Sequence, residues 1–319
     1  MKKFITIILL ICISLSLPCF ASNMNAEAYF KTGVSKQKLK DYKGALEDYN
    51  KAIQLNPNDF NAYSNRGADK FELKDYKGAI EDYTMAIQLN LNKADNSEFY
   101  FNRGAAKASL KDYEDSITDF TKATQLNSDN SRAYLNRGLS KAELKDYKGS
   151  IKDFSKAIKS NPNYFAAYCN RGLSEAELKD YNKAIKDYNK ALFLQPNYID
   201  VYKARAEAKK AIGDLNGAEK DSIIYNWQPY RDYLQKAMKT KWNPPKELKS
   251  NSVVLLFKIR KDGKLLSAKV LESSGSKDID EAALKALHDI QPLKPLPSKF
   301  KGKSKDIEFT FNYNVHDKK

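Results

Sequence analysis

The sequence contains few of the residues that catalytic and metal centres most often use. Among its 319 residues are two histidines, His288 and His316, and three cysteines, Cys12, Cys19 and Cys169. A histidine-based zinc site, a paired-cysteine metal knuckle and a histidine-dependent triad therefore all lack members. No motif places a nucleophile beside a base. We expect a protein that is not an enzyme and that binds no metal or other cofactor.

Long apolar runs are equally few, and the clearest one lies at the amino terminus. A positively charged start, residues 1–3, precedes fourteen largely apolar residues, 4–17, and the small residue Ala21 follows closely. This order is typical of a secretory signal peptide, and the run is short for a bilayer span, which needs about 20 residues. We therefore expect residues 1–21 to be removed and the mature protein to be periplasmic. A retained inner-membrane anchor and lipidation at Cys19 are the alternatives.

Internal repetition is what the sequence has in quantity. The glycines of one series lie 34, 37, 34 and 34 residues apart, and an alanine continues the series after another 34: Gly33, Gly67, Gly104, Gly138, Gly172 and Ala206. A tyrosine lies four residues before each of them, and an aspartate lies eight residues after each. Six units of this period, with three inserted residues at 94–96, fill residues 26–232. Such a period predicts stacked copies of one structural unit.

Each unit predicts two helices. We number the positions of a unit from 1, so that Gly33 is position 8. The small residue at position 8 lets the second helix approach closely, and the aspartate at position 16 is a good N-cap for that helix. Positions 17, 20, 24 and 27 form its apolar stripe, as in Tyr147, Ser150, Phe154 and Ala157. One helix pair cannot bury this stripe alone, so the units must stack.

This pattern closely resembles the tetratricopeptide repeat (TPR) family over about 65% of the chain. The resemblance implies a mostly α-helical protein, an α-solenoid of about six helix pairs. It also implies that positions 2, 6, 9 and 13 of the first helices line a groove. The sixth repeat departs from the pattern, because Ala206 replaces the glycine, Ser222 replaces the aromatic residue at position 24, and Pro229 comes one place early.

Position 6 carries asparagine in repeats two to five, at Asn65, Asn102, Asn136 and Asn170. An amide has both donors and an acceptor, so a ladder of amides can pair with an extended peptide backbone of any sequence. TPR domains that hold peptides use asparagines in this way, which makes these four residues candidates for partner binding. The alternatives are a solvated polar face, or a groove that binds a helix or a larger surface.

Position 7 is arginine in repeats two to six, and position 23 is aspartate in all six. The arginines form either an anion clamp or one half of a repeated Arg–Asp pair that joins the two helices. The equal periodicity of both partners favours the pair.

Beyond Trp227 the period stops and the composition becomes more basic. Residues 231–319 hold 20 Lys+Arg and 11 Asp+Glu, a net charge of +9, which serves either solubility or contact with anionic envelope surfaces or acidic proteins. We expect no nucleic acid as a partner of an exported chain. Hydrophobic alternation and turn residues predict a small α+β domain at 233–319. Its expected elements are a helix from Arg231 to Trp242, strands at Ser252–Ile259 and Leu265–Leu271 joined by Asp262-Gly263, a helix capped by Asp278 and Glu281 and running to about Ile290, and a last strand at Ile307–Val315.

This order resembles the C-terminal domain of the TonB/TolA family of envelope proteins. The matching motifs are the Asp262-Gly263 hairpin, Lys241–Pro245, Ser273–Gly275, Asp280–Leu284 and Pro292–Pro297. The resemblance implies docking of extended segments of outer-membrane proteins by strand addition. No strand follows the last one, so we expect it at a sheet edge, with Thr310 and Phe311 as candidate partner-binding residues. An edge closed by the Pro292–Pro297 run or by dimerisation is the alternative.

Together these patterns predict an exported, non-enzymatic scaffold or adaptor. The TPR groove would hold a protein or peptide, and the C-terminal domain would dock onto an envelope component. The alternative is a TonB/TolA-like energy transducer in transport across the outer membrane. That role needs a retained inner-membrane anchor and a long extended spacer, whereas here a TPR array occupies the middle of the chain.

Overall fold

A computed structural model describes residues 25–90, 92, 96–243, 251–298, 300 and 302–313. The predicted signal peptide, 1–21, lies outside these residues. The chain divides into two compact units, the first ending at Pro196 and the second beginning at Asn197. Within the described ranges, no helix is both long and apolar enough to cross a membrane.

The first unit consists of five helix pairs. Each helix from α2 to α9 packs against the next one along the chain. The first helices of successive pairs, α3, α5, α7 and α9, also contact one another in order. The predicted stack of helix pairs is therefore confirmed. The helices are α1 (25–38), α2 (Tyr42–Leu55), α3 (Phe60–Glu72), α4 (Tyr76–Leu89), α5 (Ser97–Ser109), α6 (Tyr113–Leu126), α7 (Ser131–Glu143), α8 (Tyr147–Ser160), α9 (Phe165–Glu177) and α10 (Tyr181–Leu194).

The turn inside each of these pairs is built in one way. Position 15 is a lysine whose φ lies between 62° and 65°, a left-handed conformation that ends the first helix: Lys40, Lys74, Lys111, Lys145 and Lys179. The aspartate that follows caps the second helix, as where Asp75 accepts the N–H of Gly78 at 3.0 Å. The predicted N-cap is confirmed in every repeat except the third, where the side chain of Asp112 makes no such bond.

Close packing of the two helices explains the glycine at position 8. A Cβ on Gly138 would lie 2.6 Å from the ring of Phe154, which is fully buried. In the sixth repeat the ring is absent, because position 24 is Ser222, and Ala206 takes the place of the glycine. The two departures of that repeat therefore compensate each other: loss of the ring makes room for the methyl group.

The second unit joins the sixth helix pair to a three-stranded antiparallel sheet, so the predicted α+β fold is confirmed. Strand β1 lies in the centre of the sheet, between β2 and β3. The elements are α11 (Ile199–Ala211), α12 (Leu215–Lys241), β1 (Asn251–Arg260), β2 (Leu265–Glu272), α13 (Lys277–Asp289) and β3 (Ser304–Tyr313). Residues 314 and 315, the predicted end of the last strand, lie outside the described ranges.

Helix α12 belongs both to the sixth repeat and to the sheet domain. The predicted helix from Arg231 to Trp242 is confirmed up to Lys241, but its predicted start is wrong, because α12 continues through Pro229. A proline inside a helix costs about 3 kcal/mol. Burial of Tyr230, Leu234 and Met238 in the core beneath β1 offsets that cost. The predicted boundary between residues 232 and 233 falls within this helix and stays a prediction.

The start of α13 also differs from expectation. The predicted cap by Asp278 and Glu281 is wrong, because the helix begins after Ser276 and no side chain caps it. Asp280 instead ties down the preceding loop, accepting the hydroxyl of Ser273 at 2.6 Å and the N–H of Ser274 at 2.9 Å. These bonds fix the loop before the helix, so that the helix begins at Lys277, one residue before Asp278.

Candidate partner-binding surfaces

The four asparagines at position 6 lie on α3, α5, α7 and α9, which contact one another in order. All four side chains are half-buried. The amide N–H groups of Asn65, Asn136 and Asn170 donate to the carbonyl four residues earlier, at 3.0, 2.9 and 2.8 Å. This bond uses one of the two amide donors and fixes the side chain. Three of the four amides in the ladder are therefore oriented by a bond to their own helix.

The rest of this stripe is mainly acidic and apolar. Five of the eight residues at positions 2 and 13 of repeats two to five are charged, four glutamates and one arginine: Glu72, Glu98, Glu143, Glu177 and Arg132. All five are exposed. Leu173 at position 9 is 48% exposed, three residues beyond Asn170. The stripe is negative, although the chain as a whole carries a net charge of +15.

The arginines at position 7 are structural, as the favoured interpretation predicts. Each one bonds the aspartate of its own repeat with two nitrogens, at 2.5–2.9 Å: Arg66–Asp82, Arg103–Asp119, Arg137–Asp153, Arg171–Asp187 and Arg205–Asp221. Arg103 also donates to Thr84 of the preceding repeat at 3.0 Å. A guanidinium that bonds both the aspartate of its own repeat and a side chain of the preceding repeat links helices and does not clamp an anion.

A lysine at position 11, which sequence reasoning missed, completes this network. It bonds the same buried aspartate at 2.7–2.9 Å in five repeats, through Lys36, Lys70, Lys107, Lys141 and Lys209. Its recurrence at position 11 was the available signal. Repeat five carries Glu175 there instead.

Glu175 is a buried carboxyl group in an unfavourable place. It is 6% exposed, and its Oε2 has no hydrogen-bond partner. Burial, and next the charge of Asp187, raise the pKa of Glu175 to about 7. Asp69 is also buried, and burial raises its pKa to about 6, although Gln37 donates to it at 2.6 Å. Both groups titrate near neutral pH.

The second candidate surface is the outer edge of β3. Thr310 pairs with Val254 and is exposed, so its side chain faces away from the core. Phe311 pairs with Val253. The structure thus places both candidate residues on an edge strand of the described sheet.

A cavity of about 300 Å³ lies beside this strand, between residues 305–308 and helix α12. Its helical wall includes Ile223, Ile224 and Trp227, and the two isoleucines are 54% and 38% exposed. Sequence reasoning missed this wall. The signal was the change at positions 25 and 26, where the other repeats carry a small polar residue followed by lysine or methionine.

The proline-rich run after α13 bonds to parts of the unit other than β3. The hydroxyl of Tyr230 donates to the carbonyl of Lys294 at 2.8 Å. The N–H of Leu296 donates to the carbonyl of Lys261 at 2.9 Å. These bonds hold the run against α12 and the hairpin turn.

The remaining candidates for chemistry show no assembled site. His288 is exposed on α13, and His316 lies outside the described ranges. Cys169 is half-buried, and burial raises its pKa to about 12, which keeps it a thiol. No group of three or more His, Cys, Asp or Glu residues that could hold a metal occurs in the part of the chain that the structure describes.

Stacked helix pairs followed by a small antiparallel sheet define a helical-repeat protein with an appended α+β domain. Family comparisons agree: four segments match tetratricopeptide repeats, at 36–68, 97–130, 131–164 and 165–198. Residues 227–311 match the TonB C-terminal family. The chain therefore contains TPR repeats and a TonB C-terminal domain, as predicted.

Solved structures share the helical-repeat fold. MamA is 23% identical with a TM-score of 0.51, covering 54% of this chain and 93% of its own. PilF of Pseudomonas aeruginosa is 18% identical with a TM-score of 0.55, covering 68% of this chain and 99% of its own. YrrB, described as a TPR protein with an unusual peptide-binding site, is 21% identical with a TM-score of 0.50, covering 57% and 90%. No curated protein matches the sequence.

Proposed function

We propose that the protein is an exported, non-enzymatic scaffold that joins two protein partners. The asparagine stripe of the TPR array holds an extended peptide, and the TonB-like domain docks onto a protein of the cell envelope. The ladder of four amides on contacting helices, three of them fixed by a bond to their own helix, is the observation that carries this proposal.

The chemistry of the stripe indicates the kind of peptide. Asparagine side chains pair with main-chain N–H and C=O groups, so they select an extended backbone and not a sequence. Glu72, Glu143 and Glu177 lie along one side and favour basic side chains. Leu173 offers an apolar contact near Asn170. The ligand is therefore an extended peptide with basic residues.

Changing Asn102 and Asn136 to alanine tests the stripe. Each lost hydrogen bond is worth about 0.5–1.5 kcal/mol, so the pair should weaken binding roughly 5- to 150-fold. The measurement is the Kd of a basic peptide selected from a displayed library against the wild-type chain. The control replaces Gln125 and Asn182 with alanine, exposed polar residues on second helices, and should leave the Kd unchanged. If the folded double Asn variant binds the peptide with unchanged affinity, the asparagines form only a solvated polar face and do not bind the peptide backbone.

The second partner, a protein of the cell envelope, docks by adding a strand to the outer edge of β3. An edge strand offers main-chain groups that an extended segment can pair with. The cavity beside residues 305–308 gives apolar side chains of such a segment a place against Ile223 and Ile224.

Two variants at residues of similar exposure test this arrangement. Ile223→Asp alters the cavity wall, whereas Leu266→Asp alters an exposed leucine of β2 that is 48% exposed. We expect the first to abolish capture of the envelope partner and the second to retain it. Thr310→Pro, checked for a native circular dichroism spectrum, should also abolish capture. Equal capture by Ile223→Asp, Thr310→Pro and the wild type excludes pairing along β3.

A TonB/TolA-like transducer is the second candidate, favoured by the TonB C-terminal domain. The two candidates differ at the amino terminus. The scaffold should begin at Ser22 or Asn23 and be recovered from the periplasm. Recovery of a chain that retains residues 1–21 in the inner membrane supports the transducer, and sequencing of the native amino terminus decides.

A further inference from the structure

The outward-facing side chains of the second helices change character between the third and fourth repeats. Positions 22, 26 and 29 are mixed in the first three repeats: Glu47, Lys51 and Gln54; Glu81, Met85 and Gln88; Thr118, Lys122 and Gln125. In the fourth repeat all three are lysine, and position 18 adds another, giving Lys148, Lys152, Lys156 and Lys159 on α8. All four lysines are exposed.

The fifth repeat continues this face and adds an aromatic residue. Positions 22, 26 and 29 of α10 are Lys186, Lys190 and Phe193. Phe193 is 76% exposed, and the Nζ of Lys190 lies 4.9 Å from its ring centroid. Position 29 is glutamine or lysine in the four preceding repeats, so an exposed phenylalanine is a second, independent departure on the same face.

No acid on these two helices balances the lysines. The acidic residues within α8 and α10 are Asp153 and Asp187. Both are buried and held by two bonds to Arg137 and Arg171, respectively. The outward charge of the two helices is therefore wholly positive.

The arrangement suits a diffuse anionic surface better than a shaped site. The lysines of α8 recur at i, i+4, i+8 and i+11, which places them within about 80° of arc and about 16 Å of helix length. Lysine is a flexible point charge and lacks the fork with which arginine grips one carboxylate or phosphate. An exposed aromatic among lysines is typical of surfaces that lie on lipid headgroups.

We propose that this basic face, formed by α8 and α10, docks on an anionic phospholipid surface, with Phe193 entering the headgroup region. Each lysine near such a surface adds to the attraction, which falls with ionic strength. The proposal concerns the outward face of the second helices and does not depend on what the asparagine stripe binds.

Vesicle binding by the chain that begins at Ser22 tests this proposal. Vesicles containing about one third phosphatidylglycerol should sediment the protein, and phosphatidylcholine vesicles should not. Charge reversal at Lys148, Lys152 and Lys159 should lower the partition coefficient about 100-fold or more. Phe193→Ser should weaken the binding that persists in high salt.

The matched control reverses three exposed lysines on the second helices of the first three repeats, Lys43, Lys77 and Lys122. It makes the same change in net charge and should retain most of the binding. If both triple variants lose vesicle binding equally, net charge alone accounts for the binding, and the proposal is overturned. Failure of the wild type to bind phosphatidylglycerol vesicles at low salt also overturns it and directs attention to an acidic protein partner.

Discussion

Glu175 stands where the other five repeats carry a lysine bonded to a buried aspartate. The repeat thereby loses an ion pair and gains a second buried carboxyl group near Asp187. Burying a carboxylate without a partner is costly, so the folded chain favours the protonated form of Glu175. One residue thus makes the stability of the fifth repeat sensitive to pH.

The sign of this sensitivity follows from the raised pKa of Glu175, about 7 in the folded chain against 4.5 for an ordinary glutamate. The folded state binds the proton more tightly, so its contribution to stability is complete below pH 4.5 and is lost as the pH rises through 7. The loss is roughly 3 kcal/mol.

Glu175→Lys should therefore stabilise the first unit, and by more at pH 8 than at pH 5. Glu175→Gln should remove this part of the pH dependence, leaving that of Asp69, whose pKa is also raised. Urea unfolding followed by circular dichroism at both pH values measures the difference. A gain from Glu175→Lys that is the same at both pH values contradicts the assignment.

At the scale of the elements, the turn within each of the first five helix pairs holds a lysine in the left-handed conformation. An L-residue there costs about 1–2 kcal/mol, which glycine avoids. In four of these five pairs the side chain of the following aspartate caps the next helix, so the sequence Lys-Asp both ends one helix and begins another.

Lys111→Gly should stabilise the third repeat by about 0.5–1 kcal/mol, because glycine adopts this φ without strain. The same substitution at Lys122, exposed in the middle of α6, should destabilise it by about 1 kcal/mol. Thermal melting of both variants beside the wild type gives the comparison. Shifts of the same sign at the two positions would be inconsistent with this explanation.

At the scale of the whole molecule, α12 ties the last repeat to the TonB-like domain. Its first half pairs with α11 through Arg205 and Asp221, and its second half enters the core beneath β1. The match to the TonB C-terminal family begins at residue 227, and the predicted domain boundary follows residue 232; both positions fall inside this helix.

We expect the fragment 197–319 to fold cooperatively and the fragment 233–319 to be less stable by about 3 kcal/mol or more. The shorter fragment lacks Tyr230, which is buried and bonded to the carbonyl of Lys294. Guanidinium unfolding of the two fragments measures the difference. Equal midpoints would support a domain that begins at residue 233.

The sequence by itself determined the repeat, its six copies, the Asp caps and the helix–hairpin–helix–strand order. These depend on local spacing: a period of 34 residues, an alternation of two, and a turn residue where each element ends. It also placed the asparagines on one stripe, because helical periodicity fixes which residues share a face.

Only the tertiary structure decided the rest. The continuity of α12 through Pro229 depends on burial beneath the sheet, which outweighs a strong local signal to stop. The burial of Glu175 and the cavity between α12 and β3 each depend on how separate elements pack together. Packing between elements fixes such features, and the spacing of residues within one element does not encode them.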